Sequence, residues 1–273
     1  MSTSEAAVSA QRKAWLKKRR ARRIAVSVTR VLLLAGFLLV WELSARYGLI
    51  DPFIMSCPSR FTKTIVNLWN QGELLYHVWV TTAEAICGFM LGCVFGTIIA
   101  VCLWCSSFVC SVLEPYLVIL NALPKIALGP VFIVWIGAGP KSIVAIALSI
   151  TIVVTTLEVL GGFLATDKDK ILLAKTFGAG KLQILRRVIF PANLGVIIGS
   201  LKVSVGMSWV GVIVGEFLIS KAGLGYLIVY GSQVFQLDLV MASVVILAAV
   251  AMVMYLCIQC TERLLSKRTG SGL

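Results

Sequence analysis

Long apolar runs alternate with short polar intervals along the whole chain. The runs occupy residues 24–45, 78–104, 108–137, 141–163, 193–218 and 239–260. About 20 apolar residues suffice for a helix to cross a bilayer, so each run predicts one membrane-spanning helix. The expectation is an all-α integral membrane protein with six transmembrane helices. The third run is broken by Pro115, Pro124 and Pro130, with Lys125 and Gly129 between the last two. Proline removes backbone donors that lipid cannot replace, so such a break predicts a surrounding of protein or a water-filled path. In the second run Gly88, Gly92 and Gly96 recur every fourth residue, a small-residue stripe on which another helix can pack closely.

The one long polar interval in the C-terminal two-thirds of the chain is 167–191. It is more than a simple loop. Ile171, Ala174 and Phe177 recur at helical spacing, as do Leu182, Leu185, Val188 and Ile189. Gly178-Ala179-Gly180 separates the two sets. This pattern predicts two short amphipathic helices joined by a glycine turn, with Pro191 ending the second. Their apolar faces need something to pack on, either the ends of the spans or another protein.

Composition agrees with a membrane protein. The chain has 273 residues, 59% of them hydrophobic, with mean hydropathy +0.96. The net charge of +13 raises the question of nucleic acid. The cations instead flank apolar runs: eight Lys and Arg in 1–23, six in 167–191 and three in 261–273, with only five in the intervals between. That asymmetry is the positive-inside pattern, and it predicts both termini and the 167–191 interval in the cytoplasm of a multi-pass cell-membrane protein. Residues 1–23 then form a basic cytoplasmic segment against anionic headgroups. Residues 24–77 hold the first span and an external segment, in which Ser59 is a candidate N-cap. Trp69, Tyr76, Trp79 and His77 suit an interfacial belt there. Residues 78–262 are the core, and 263–273 a cytoplasmic tail.

Several chemical readings fail. Gly178-Ala179-Gly180-Lys181 is a fragment of a phosphate loop, but Lys175 and Leu182 stand where that motif needs Gly and Ser or Thr. No Ser/His/Asp set is available with a single His, so no catalytic residues are expected. Cys102/Cys105 and Cys257/Cys260 are C-x-x-C by letter, yet they lie in apolar segments, so no metal site is expected.

From Ala174 to Pro191 the interval resembles the Glu-Ala-Ala loop of ABC importer permeases. Ala174 matches the second alanine, Gly178 the glycine and Pro191 the closing proline. Val188 and Phe190 stand for the isoleucine and leucine. Leu172 and Leu173 replace the Glu and first Ala, and Asp169, one turn earlier, is the acid that can substitute. The stretch 121–130, Asn-Ala-Leu-Pro-Lys-Ile-Ala-Leu-Gly-Pro, is similar to the third-span segment of the nitrate/sulfonate/taurine branch. Gly223-Leu224-Gly225-Tyr226 resembles the turn before its last span.

The resemblance implies a type I, MetI-like importer fold. Residues 165–191 would be the coupling helix, with Asp169, Ala174, Gly178, Lys181 and Pro191 meeting the ATPase. The implied partners are a second permease chain as homodimer, two cytoplasmic ATPase subunits that bind the ATP, and an extracytoplasmic substrate-binding protein. No cofactor is expected on this chain. The implied substrates are sulfonates, taurine, nitrate or a thiamine-pyrimidine-type precursor. Pro124, Lys125, Lys202 and Glu216 are the candidate pathway residues, because polar groups within spans mark passages. A self-contained secondary transporter also uses broken helices and intramembrane charge. A purely structural membrane protein would leave the Pro124-Lys125 break unexplained.

Overall fold

The computed structural model describes residues 2–268; the last five residues of the expected tail lie outside them. The chain divides into two compact units after Lys63.

In the first unit α1 (Ser2–Arg46) is one 45-residue helix. The basic N-terminal stretch and the first apolar run therefore share a single helix. The apolar side chains Val31, Leu33 and Phe37 are exposed on it, as lipid-facing positions would be. The one-turn α2 (Pro52–Met55) is capped by Asp51, whose carboxylate accepts from the Phe53 amide at 2.8 Å. α3 (Pro58–Asn70) starts at Pro58, so Ser59 is inside the first turn and does not cap it. The Ser59 amide instead donates to Glu42 at 3.0 Å.

The second unit takes in the rest of α3 from Thr64 and continues with α4 (Glu73–Cys105), α5 (Ser107–Ala122), a 3-10 turn over Lys125–Leu128, and α6 (Gly129–Ile136). Next come α7 (Pro140–Leu164), α8 (Lys168–Thr176), α9 (Lys181–Ile184), a π turn over Leu185–Ile189, and α10 (Phe190–Ala192). α11 (Leu194–Ile219), α12 (Leu224–Gln233) and α13 (Leu237–Arg268) complete it. Among the described residues α1, α4, α7, α11 and α13 are long and apolar enough to cross a membrane, and the bent pair α5–α6 brings the number to six when it is taken as one broken span. Pro115 is accommodated inside α5. The break falls at Leu123-Pro124, and the two pieces meet at 88°.

The core of this unit is a slab of α4, α7 and α11. Its closeness follows from missing side chains. A Cβ added at Gly88 would lie 2.6 Å from Ala147 Cβ, one at Gly92 2.5 Å from Thr151 Cβ, and one at Gly96 2.8 Å from Thr155 Cβ. α11 approaches the same helix: a Cβ at Gly211 would lie 2.5 Å from Ala147 Cα, and one at Gly215 2.9 Å from Ile143 Cγ2. α7 is thus packed against two glycine stripes, one on α4 and one on α11. Hydroxyls tie the slab together: Ser208 donates to the Ala85 carbonyl at 2.7 Å, and Thr155 and Ser204 bond at 2.8 Å. Such bonds add to van der Waals packing where no hydrophobic drive separates helix from lipid.

Candidate functional site

One end of the slab carries residues 166–193. Asp167 caps α8, accepting from the Asp169 amide at 2.9 Å. α8 ends at Thr176 with Phe177 as its cap, and the following Gly178 has a φ of +77°, the left-handed conformation that L side chains resist. The Ala179 amide then reaches back to the Ala174 carbonyl at 3.1 Å, a closing bond typical of a helix C-terminus. Gln183 accepts from the Gly180 amide at 3.0 Å and starts α9. Ile184, Leu185 and Ile189 are buried among Ala100, Leu103, Val159, Leu160 and Phe163, at the ends of α4 and α7. Pro191 does not end this helix. The path continues through α10, and a π turn directly before the proline absorbs its missing amide. Asn193 ends it: its amide donates to Thr166 Oγ1 at 2.7 Å and to the Ile189 carbonyl at 2.9 Å. Asn193, buried and unanticipated from sequence, fastens the two ends of the segment to each other.

The expected inward faces divide. Ile171 and Ala174 pack partly against the slab, but Phe177 and Leu182 point away from it, 82% and 72% exposed. Leu172 and Leu173 are 61% and 58% exposed. Four large apolar side chains therefore stand out from a segment otherwise rich in exposed cations. Asp169, Gly178 and Pro191 are exposed too, and Lys181 Nζ approaches the Cys105 carbonyl at 3.5 Å.

At the other end of the slab α11 turns into α12. Glu216 is 1% exposed. One carboxylate oxygen accepts from Thr81 Oγ1 at 2.6 Å, and the other from the Gly225 amide at 2.5 Å. Thr81 Oγ1 in turn accepts from the Leu224 amide at 2.7 Å. His77 Nδ1 accepts from the Gly223 amide at 2.9 Å, and its ring stacks on Tyr226 with centroids 6.0 Å apart. Glu216 thus caps α12 from a neighbouring helix, where the N-cap Gly223 has no side chain to do so. The glycines are dictated by this carboxylate. Gly223 has φ +110°, and a Cβ there would run into the Glu216 carboxylate; a Cβ at Gly225 would lie 2.7 Å from Glu216 Oε2.

Two expectations change here. His77 is a buried acceptor rather than an interfacial side chain. Glu216 holds a turn and does not line an open passage in this structure. Glu84, 6% exposed and packed next to Glu216, escaped the sequence reading. The signal was present: His77, Thr81, Glu84 and Gly88 form one stripe at helical spacing on α4.

The remaining pathway candidates do not gather into one site. Pro124 and Lys125 lie at the α5–α6 elbow, where Lys125 Nζ donates to the Asn121 carbonyl at 3.0 Å. Lys202 is half-buried in α11, 14 residues and about 21 Å along the helix from Glu216.

Residues 92–271 match the family model described as binding-protein-dependent transport system inner membrane component. The chain belongs to that family. A probable ABC transporter permease protein of Haemophilus influenzae is 32% identical over 84% of this chain and 94% of its own length. The taurine transport system permease protein TauC of Escherichia coli is 24% identical over 87% of this chain and 88% of its own. The formylaminopyrimidine transport permease protein ThiX of Halalkalibacterium halodurans is 29% identical over 69% and 75%. Among solved structures, an inward-facing form of the MetNI methionine ABC transporter aligns with TM-score 0.61 at 18% identity, over 73% of this chain and 97% of that one. The protein is an ABC transporter permease with the type I, MetI-like importer fold, a multi-pass membrane component.

Proposed function

We propose that this permease is the translocation subunit of an ATP-driven importer in the cell membrane, with both termini and residues 166–193 in the cytoplasm. Two copies form the passage. Two ATPase subunits bind and hydrolyse the ATP, and an external binding protein delivers the solute. The observation that carries this reading is the outward apolar set Leu172, Leu173, Phe177 and Leu182 on a cationic segment clamped to the ends of two spans. Exposed apolar clusters of this kind fit a protein partner. The clamp at Asn193 and the packed Ile184–Ile189 face make the segment stiff enough to pass a push from that partner into α4, α7 and α11. ATP-driven closure of the ATPases would then alternate the access of the passage.

The solute we favour is a small anion of the sulfonate, taurine or nitrate kind. The taurine relative supports it, as do Lys125 and Lys202, which bring positive charge to the bend and to α11. The formylaminopyrimidine relative favours a second solute, a thiamine-pyrimidine-type precursor, for the same permease role.

The test is affinity purification of the full chain from membranes, then transport in liposomes. A co-purifying ABC ATPase, with uptake that requires ATP and a binding protein, is the expected result. A chain that purifies without an ATPase and moves solute without ATP would overturn the reading in favour of a secondary transporter. Competition between taurine and the pyrimidine for uptake decides the solute.

A further inference from the structure

Beyond that role, a cleft of about 400 Å³ opens between the α4–α5 elbow and the α8–α9 segment. Its wall is apolar where α4 and α7 end, at Leu103, Trp104 and Leu164. Its other side is polar. Lys175 from α8 and Lys181 from α9, on opposite sides of the Gly178 turn, converge on it. Ser107 and Ser111 contribute hydroxyls from the first turns of α5, and Glu114 is the one acid in the lining. We propose that this cleft binds the phosphate headgroup of an anionic phospholipid.

Three observations select that occupant. The two ammonium groups outnumber the single carboxylate, so the cleft favours an anion. The N-terminal turn of α5, a 16-residue helix, borders the same space through Ser107 and Cys110, and although Ser106 accepts from the Val109 amide, the positive end of the helix dipole adds to the potential there. The apolar wall is formed where membrane-spanning helices end, with Trp104 at the level where aromatic side chains meet headgroups. A soluble anion would leave that wall in water, whereas a phospholipid covers it with its glycerol and first methylenes. A lipid seated here would join the elbow of α5 to the segment whose outward face carries the partner-binding set. Its presence would stiffen that segment against the slab.

Cys105 is a built-in reporter, because it lines the cleft and is half-exposed, while Cys102, one turn earlier on α4, is exposed and does not line it. The experiment places the full chain in nanodiscs of phosphatidylcholine alone, or with one part in three phosphatidylglycerol. Maleimide labelling of each cysteine is followed by peptide mass spectrometry. Phosphatidylglycerol is expected to slow Cys105 labelling about tenfold, in line with two lysines near an anionic surface, and to leave Cys102 unchanged. Lys175→Gln with Lys181→Gln should remove the protection, and Ser111→Trp, which fills the cleft, should slow Cys105 labelling in both lipids. Equal Cys105 labelling in the two lipids overturns the proposal. So does protection that survives the double lysine variant. Protection by glycerol phosphate added to phosphatidylcholine nanodiscs would overturn the lipid assignment in favour of a soluble anion. No arm depends on transport, so the outcome is independent of the importer reading.

Discussion

Ala147 of α7 is touched by both α4 and α11, and the two contacts differ in a way that mutagenesis can separate. At Gly88 the nearest obstacle to an added methyl is Ala147 Cβ at 2.6 Å; the Ala147 backbone carbonyl carbon is at an ordinary 3.7 Å. At Gly211 the obstacle is Ala147 Cα at 2.5 Å, with the backbone nitrogen at 3.1 Å. Either Gly→Ala change overpacks the interface, a cost of about 1–3 kcal/mol. Each is offset by about 1 kcal/mol of improved helix propensity. Ala147→Gly removes the Cβ but not the Cα. In the Gly88→Ala background it clears the obstacle, and the double variant merely moves one methyl across the interface. A rescue of about 1–3 kcal/mol is expected in that double-mutant cycle. In the Gly211→Ala background the 2.5 Å obstacle remains, so rescue should be a small fraction of that. The assay is reversible unfolding of the full chain in mixed micelles, with increasing SDS, followed by tryptophan fluorescence. Equal rescue at both positions would refute the geometry of the slab, as would the absence of coupling between 88 and 147.

Phe177→Ser with Leu182→Ser should leave stability within about 0.5 kcal/mol, since both side chains are largely exposed, yet abolish co-purification of an ATPase. Gly178→Val should insert normally but uncouple transport, because a β-branched residue at φ +77° costs about 1–3 kcal/mol; Gly178→Asn, which tolerates that conformation, should retain most activity, and equal uptake by wild type and the valine variant contradicts the assignment. Glu216→Ala leaves the Gly225 amide without its buried acceptor, while the Thr81 hydroxyl retains the His77 carbonyl at 3.2 Å, so a loss of about 1–3 kcal/mol is expected by the same SDS titration. Asn193→Leu should expose the 166–193 segment to limited proteolysis while the spans stay protected, since it removes both bonds that close the segment.

The spans were legible because lipid imposes a length and a composition that no other solvent does, and the glycine spacing in α4 announced a close contact without naming its partner. What sequence alone missed was polar and long-range. Glu216 reads as an intramembrane charge, and such charges suggest a passage; only the fold shows Thr81 and the Gly225 amide, 135 and 9 residues away, already occupying it. His77 read as interfacial because it neighbours Tyr76 and Trp79, but the α11–α12 turn folds over it. Phe177 shared a helical period with Ile171 and Ala174, yet it falls at the residue where α8 ends, so the period no longer sets its direction. Pro191 reads as a stop because proline usually is one; the π turn before it removes the conflict.

Each end of α7 meets one of the two sites, and that arrangement constrains how they can communicate. At one end Ile143 packs under Gly215, next to the Glu216 cap; at the other Phe163 and Leu160 pack on Ile184 and Ile189. Between them the glycine contacts bring methyl or backbone against a missing side chain, so little empty space remains there for the helices to slide locally. Packed interiors of this density pass displacement on rather than absorb it. A push on Phe177 and Leu182 would therefore move α4, α7 and α11 together, and the compliant places lie where the contacts end: the 88° elbow at Pro124 and the turn over Gly223. The turn is held by three hydrogen bonds, from the Gly223, Leu224 and Gly225 amides to His77, Thr81 and Glu216, all side chains on α4 and α11. It would travel with the slab, which, on the proposed importer reading, leaves the α5–α6 elbow as the hinge.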